Sequence, residues 1–174
     1  MTELDRPGRL RRRSLAVAAA LGAAAVMGLA GCAGGEAAPN STFVLLDGSK
    51  ATTADLKGKV TLVNFWATTC VSCVKEMPQI VATWHKYQAQ GFDTVAVAME
   101  YDPPNWVLNF AQSRQLPFKV ALDNTGEVAQ QWGDVKLTPT TYLVDKQGRI
   151  VKRYVGEPDF AALHQLIEKL LAQT

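Results

Sequence analysis

The sequence of 174 residues predicts an α/β sandwich built on a mixed central sheet. Three observations lead there. Extended apolar runs alternate with stretches of helical spacing, the order that lays helices against a sheet. One run, Val60–Trp66 (V-T-L-V-N-F-W), is β-branched and aromatic and is bounded upstream by Lys57-Gly58-Lys59, which reads as a strand. The last two runs, Thr140–Val144 and Arg149–Val155, are joined by Asp145-Lys146-Gln147-Gly148, loop residues that make a hairpin and hence an antiparallel pair.

The other elements follow in order. Phe43–Leu46 with Asp47-Gly48 reads as a short strand and turn. After Trp66 the spacing becomes helical: Cys73, Met77, Ile80, Val81, Trp84 and Tyr87 share a face, and Gly91 ends the run. Thr94–Met99 is a buried strand. Asp102-Pro103-Pro104 opens a second helix through Trp106, Val107, Phe110 and Ala111. Phe118–Leu122 is a brief strand and Gly126–Trp132 a short helix. Pro158–Leu171 closes the chain as an amphipathic helix with Phe160, Leu163, Ile167 and Leu170 inward.

The formal net charge of +2 is unevenly placed. Arg6, Arg9, Arg11, Arg12 and Arg13, against Glu3 and Asp5, give residues 1–31 a charge of +3 and leave −1 for the rest. The basic surplus belongs to the N-terminus, so no nucleic-acid surface is expected on the domain. An Arg-rich start, an Ala-rich apolar stretch from Leu15 to Ala30 and small residues after it form the layout of an export signal. That stretch is too short and too rich in Gly and Ala for a transmembrane helix. Leu29-Ala30-Gly31-Cys32 resembles the lipobox of bacterial lipoproteins, which implies cleavage before Cys32 and acylation of it. Several acyl chains hold a protein to a membrane where one does not. The expected division is a lipoprotein signal peptide at 1–31, a flexible lipid-anchored tether at 32–41 and one domain at 42–174.

Cys70 and Cys73 stand two residues apart in F-W-A-T-T-C-V-S-C-V-K-E-M-P. A structural zinc site needs four ligands. The only other soft candidates, His85 and His164, stand singly on separate helices and read as solvated residues, so no metal is expected. A static disulfide over so small a loop would stabilise little by loop closure. A C-x-x-C at a strand-to-helix junction instead marks redox chemistry. Cys70 then lies at a helix N-terminus, where free N–H groups and the helix dipole favour thiolate, and Cys73 lies one turn inside.

The motif resembles the thioredoxin superfamily, specifically its membrane-tethered TlpA/ResA-like branch. Glu76-Met77-Pro78 matches the E-x-P after the second cysteine, and Thr138-Pro139-Thr140-Thr141 matches the loop whose proline is cis and packs on the pair. Tyr101–Val135 corresponds to the insertion typical of the branch. The resemblance runs from about Ser41 to the C-terminus. It implies a thioredoxin-like three-layer α/β/α sandwich and a membrane-anchored thiol-disulfide oxidoreductase on the extracytoplasmic face. The implied clients are disulfides of exported proteins such as apocytochrome c, with a membrane thiol-disulfide transporter as electron donor. No cofactor is implied, since the two sulfurs hold the electrons.

The resemblance also assigns roles. Cys70 attacks the substrate disulfide and Cys73 resolves the mixed disulfide. Trp66, Thr138 and Pro139 shape the substrate groove. Thioredoxins proper place a buried aspartate on the strand before the motif, where this chain has Asn64, so Glu76 at i+3 from Cys73 becomes the expected proton carrier. Thr69 replaces the usual Trp before the first cysteine, and Val71-Ser72 brings no cation to the thiolate, which favours a reductant over a strong oxidant. A peroxiredoxin-like peroxidase would need a proline ahead of the cysteine that Phe65–Cys70 lacks. A copper chaperone would usually add a distant histidine and a wider cysteine spacing.

Overall fold

In the computed structural model, which describes residues 35–173, the strands are β1 (Thr42–Leu45), β2 (Lys50–Thr52), β3 (Val60–Trp66), β4 (Phe92–Ala98), β5 (Lys119–Leu122), β6 (Thr140–Val144) and β7 (Ile150–Val155). The helices are α1 (Val71–Tyr87), α2 (Pro104–Ser113), α3 (Glu127–Gln131) and α4 (Phe160–Leu171). One sheet of order β2-β1-β5-β4-β3-β6-β7 holds all the strands. β3, β4 and β5 are parallel, and the pairs on either side of them are antiparallel. The sheet is therefore mixed, as expected.

β3 lies at the centre and is buried at every residue. Successive side chains of a strand point to opposite faces. Val60, Leu62 and Trp66 accordingly join the core under α1, α2 and α4, while Val63 and Phe65 join a second core with Val128, Ala129 and Trp132 of the α3 region. The parallel order β3-β4-β5 explains why α1 and α2 share a face, because both crossovers are right-handed. The opposite face carries one short helix and is filled by an aromatic group: Trp132 packs on Phe43, Phe65 and Tyr142 at centroid distances of 5.1–6.3 Å.

Two expectations are corrected here. Residues 36–41 are not a free tether. Ala37 forms a bridge with Arg149, Ala38 N–H donates to Gly148 O at 2.9 Å, and Ile150 N–H donates to Glu36 O at 2.7 Å. Ser41 is buried, accepts from Trp132 Nε1 at 3.1 Å and donates to Gln131 Oε1 at 2.5 Å. The small, polar composition read as flexibility is what lets this segment lie flat on the sheet end. Gly35 shows this, since a Cβ there would overlap Ile150 O. His164 is half-buried between α4 and α1, with Nε2 2.8 Å from the Thr83 hydroxyl, whereas His85 is exposed as expected. β2 and the 3-10 turn Thr53–Leu56 carry no sequence signal of their own, since three or four residues are too few to show a period. The expected signal peptide and Cys32 lie outside the described residues.

Candidate active site

The C-terminal end of β3 runs through Ala67-Thr68-Thr69 into α1, and Cys70 is the N-cap of that helix. Cys70 N–H donates to Ala67 O at 3.1 Å, closing the turn, and Val74 N–H donates to Cys70 O at 3.0 Å. The two cysteines form a disulfide with a Cα–Cα distance of 5.2 Å. Cys73 Sγ is fully buried, while Cys70 is half-exposed. Cys70 Sγ accepts the Cys73 N–H at 3.2 Å and lies 3.5 Å from the Ser72 hydroxyl. A sulfur in the capping position takes one of the free N–H groups of the first helical turn, which stabilises it as thiolate.

β6 supplies the facing wall. Its antiparallel register on β3 sets Thr140 against Phe65, so the loop before β6 lies at the same sheet end as the cysteine loop. Within that loop the Thr138–Pro139 bond is cis. Pro139 O accepts from Gly156 N–H at 2.8 Å, and the Thr140 hydroxyl donates to Leu137 O at 2.7 Å. Thr138 is half-buried, with its hydroxyl 3.3 Å from that of Tyr101.

Behind the pair, Glu76 is wholly buried on α1. Asn64 Nδ2 donates to Glu76 Oε1 at 3.0 Å and to Thr141 Oγ1 at 2.9 Å, while Glu76 Oε2 and Asn64 Oδ1 have no partner among the described residues. Burial pushes the Glu76 carboxyl from 4.5 up to about 7, against the hydrogen bond from Asn64 and with help from the Glu157 charge. A carboxyl that titrates near neutrality, one helical turn from Cys73, can exchange a proton with it.

Cys70, Cys73, Glu76, Thr138 and Pro139 thus gather at one end of the sheet. Trp66 does not line the groove. Its indole is fully buried and packs on Phe110 at 5.0 Å, because residue 66 continues the inward row of Leu62 and Asn64. The sequence marks Asn64 only by the acid it lacks, whereas in the fold it is a double donor. Its place in an inward row was the available signal, since a buried amide needs partners. Asp102 escaped notice as a helix-opening residue, yet it is buried and accepts two hydrogen bonds from Thr68. Among the described residues no group of three or more His, Cys, Asp or Glu side chains is placed to hold a metal.

Comparison with known proteins agrees with this geometry. Residues 33–167 match the Redoxin family. The thiol-disulfide oxidoreductase ResA of Bacillus thuringiensis subsp. konkukian is 36% identical over 137 residues, 78% of each chain. ResA of Bacillus subtilis is 34% identical over 130 residues, 75% of this chain and 72% of its own. Among solved structures, a protein described as a thioredoxin from Neisseria meningitidis superposes with a TM-score of 0.75 at 40% identity, covering 80% of this chain and 93% of that one. A thioredoxin-family thiol:disulfide interchange protein from Chlorobium tepidum superposes with a TM-score of 0.72 at 26% identity, covering 79% and 97%. The fold, the C-x-x-C disulfide and these relatives agree: the chain belongs to the Redoxin family, as a ResA/TlpA-like thiol-disulfide oxidoreductase of the thioredoxin superfamily.

Proposed function

We propose that this protein is a lipid-anchored, extracytoplasmic reductase of disulfides in exported proteins, apocytochrome c among them. The observation that carries the reading is the asymmetry of the pair: Cys70 is reachable at a helix N-cap, and Cys73 is buried one turn from a carboxyl that titrates near 7. The Cys70 thiolate attacks one sulfur of the client disulfide and expels the other as a thiol. Cys73 loses its proton to Glu76 and attacks Cys70 Sγ, which releases the second client thiol and leaves the Cys70–Cys73 disulfide. Thr138 and Pro139, whose loop lies at the same sheet end as the cysteine turn, receive an extended client segment by backbone pairing. Two electrons from a membrane thiol-disulfide transporter then restore the dithiol, and acylated Cys32 keeps the domain at that membrane.

The polar surroundings of Cys70 support reduction as the working direction. Its sulfur meets one backbone N–H and one hydroxyl, and neither contact is a cation that would hold the reduced form as strongly as in an oxidant. Equilibrium titration of the couple against glutathione tests the direction. A potential near thioredoxin's, about −270 mV, is the expected result, and one near that of DsbA, about −120 mV, would overturn it. For the anchor, fatty-acid labelling of cells expressing the full chain should mark the protein and should vanish in Cys32→Ser.

A further inference from the structure

Two adjacent residues between β4 and α2 hold the two walls of the site. Asp102 is 2% exposed, and both its carboxylate oxygens serve Thr68: Oδ2 accepts the backbone N–H at 2.6 Å and Oδ1 accepts the hydroxyl at 2.5 Å. Thr68 lies inside the turn that Cys70 N–H closes on Ala67 O. Tyr101, the preceding residue, places its hydroxyl 3.3 Å from that of Thr138, next to Pro139. The dipeptide is itself held from both sides. Met99 N–H donates to Trp66 O at 3.0 Å and Asp102 N–H to Met99 O at 2.9 Å, which ties it to the sheet. On the other side Pro103 and Pro104 follow in succession, restricting the backbone of residues 102 and 103, and Pro103 O accepts from Trp106 and Val107 in the first turn of α2.

We propose that Tyr101-Asp102 is a rigid strap that sets the spacing between the Cys70 turn and the Pro139 loop, with Asp102 a positioning residue for the Cys70 sulfur and Tyr101 one for the groove wall. A buried carboxylate is an expensive way to tie a turn, since it gives up its hydration, and it is retained where both donors of one residue must be fixed together. Fixing Thr68 fixes where Cys70 Sγ lies against the Cys73 N–H. A slack turn would leave the sulfur off that donor and the thiolate less favoured. The inference rests on Cys70 as the attacking thiol.

Alkylation of the reduced full-length protein with iodoacetamide, mapped by peptide mass, tests both in one measurement. In the unsubstituted protein the fast site is Cys70; fast labelling at Cys73 would defeat the attacking-thiol reading itself. Thr68→Val keeps the charge of Asp102 and removes only the hydroxyl bond. It should slow Cys70 alkylation at pH 7 about three- to tenfold, the net scale of one intramolecular hydrogen bond, while Thr68→Ser stays within about twofold. In an Asp102→Ala background the Thr68→Val effect should vanish, because the two residues act as one unit. Equal effects in both backgrounds, or no effect of Thr68→Val, overturn the strap. Should Asp102→Ala not fold, the Val and Ser variants of Thr68 decide the matter alone. At the other end, Tyr101→Phe should raise KM for a disulfide-bridged peptide about threefold and move kcat less, as the loss of one exposed hydrogen bond allows. A fall in kcat at constant KM, or no change in either, would remove Tyr101 from the strap.

Discussion

Asn64 reaches Glu76 across 3.0 Å, from the central strand to the helix that carries both cysteines. Its other amide hydrogen is taken by Thr141, directly opposite on β6, so the amide cannot turn over without losing a bond. An acid on the strand, as in thioredoxins proper, has here become a donor on the strand and an acid on the helix. Glu76 is held in place by a group that cannot titrate, and the proposed proton carrier lies on the same helix as the thiol it would serve.

Glu76→Gln should slow resolution of a mixed disulfide on Cys70 about a hundredfold at pH 7, the low end of general acid–base contributions. In the unsubstituted protein the base form of Glu76 fills as pH passes about 7, so the rate should rise there. In the variant that rise should disappear. Stopped-flow measurement of resolution from pH 5 to 9 decides this, and an unchanged profile would leave Glu76 with packing alone.

The same carboxyl makes stability depend on pH. Its folded pKa of about 7 lies above the ordinary 4.5, so the folded state binds the extra proton between them. The stabilising contribution is therefore complete below 4.5 and is lost as pH rises through 7. For this buried group the shift corresponds to on the order of 3 kcal/mol. Urea unfolding of the oxidised protein at pH 5 and pH 8 should show most of that loss, and Glu76→Gln should show little of it.

Asn64→Ala should move the pH midpoint of resolution upward. The amide bond to Glu76 favours the ionised carboxylate and holds the pKa below what burial alone would impose. Without that bond the base form appears only at higher pH. The expected displacement is about one pH unit, together with about 1–3 kcal/mol of lost stability from the stranded carboxyl. A downward shift would mean that water or another donor replaces the amide.

Ser41→Ala should cost about 1–3 kcal/mol of folding stability, because the buried indole N–H of Trp132 loses its acceptor. Equilibrium unfolding in urea measures it. A change below about 0.5 kcal/mol, the level of ordinary surface substitutions, would show that the segment ahead of β1 contributes little to the fold.

Much of this was legible in the chain. The period of Cys73, Met77, Ile80 and Tyr87 matches the buried face of α1, and the Asp145–Gly148 turn gave the hairpin β6–β7. The paired cysteines marked the site because two sulfurs at helical spacing have few other uses. What escaped are contacts between distant parts of the chain. Asn64 stands 12 positions from Glu76 and 77 from Thr141, and only the packing of α1 on β3 and the antiparallel β3–β6 register bring them together. Asp102 and Thr68 are 34 positions apart and looked like an ordinary cap and an ordinary loop residue. Residues 36–41 misled because small polar residues suit a free linker and a close backbone approach equally well.

That segment links the two ends of the sheet order. It pairs with the start of β7 at Gly148–Ile150, then crosses to enter β1. The β6–β7 register puts this attachment at Val144–Ile150 and the Pro139 loop beside Thr140–Val155, at opposite ends of the same hairpin. Two backbone hydrogen bonds, Ala38 N–H to Gly148 O and Ile150 N–H to Glu36 O, make that attachment before the chain reaches β1. The segment ahead of β1 is thus fastened at the end of the β6–β7 hairpin remote from the redox end, and substitutions in it leave the register that sets the Pro139 loop untouched.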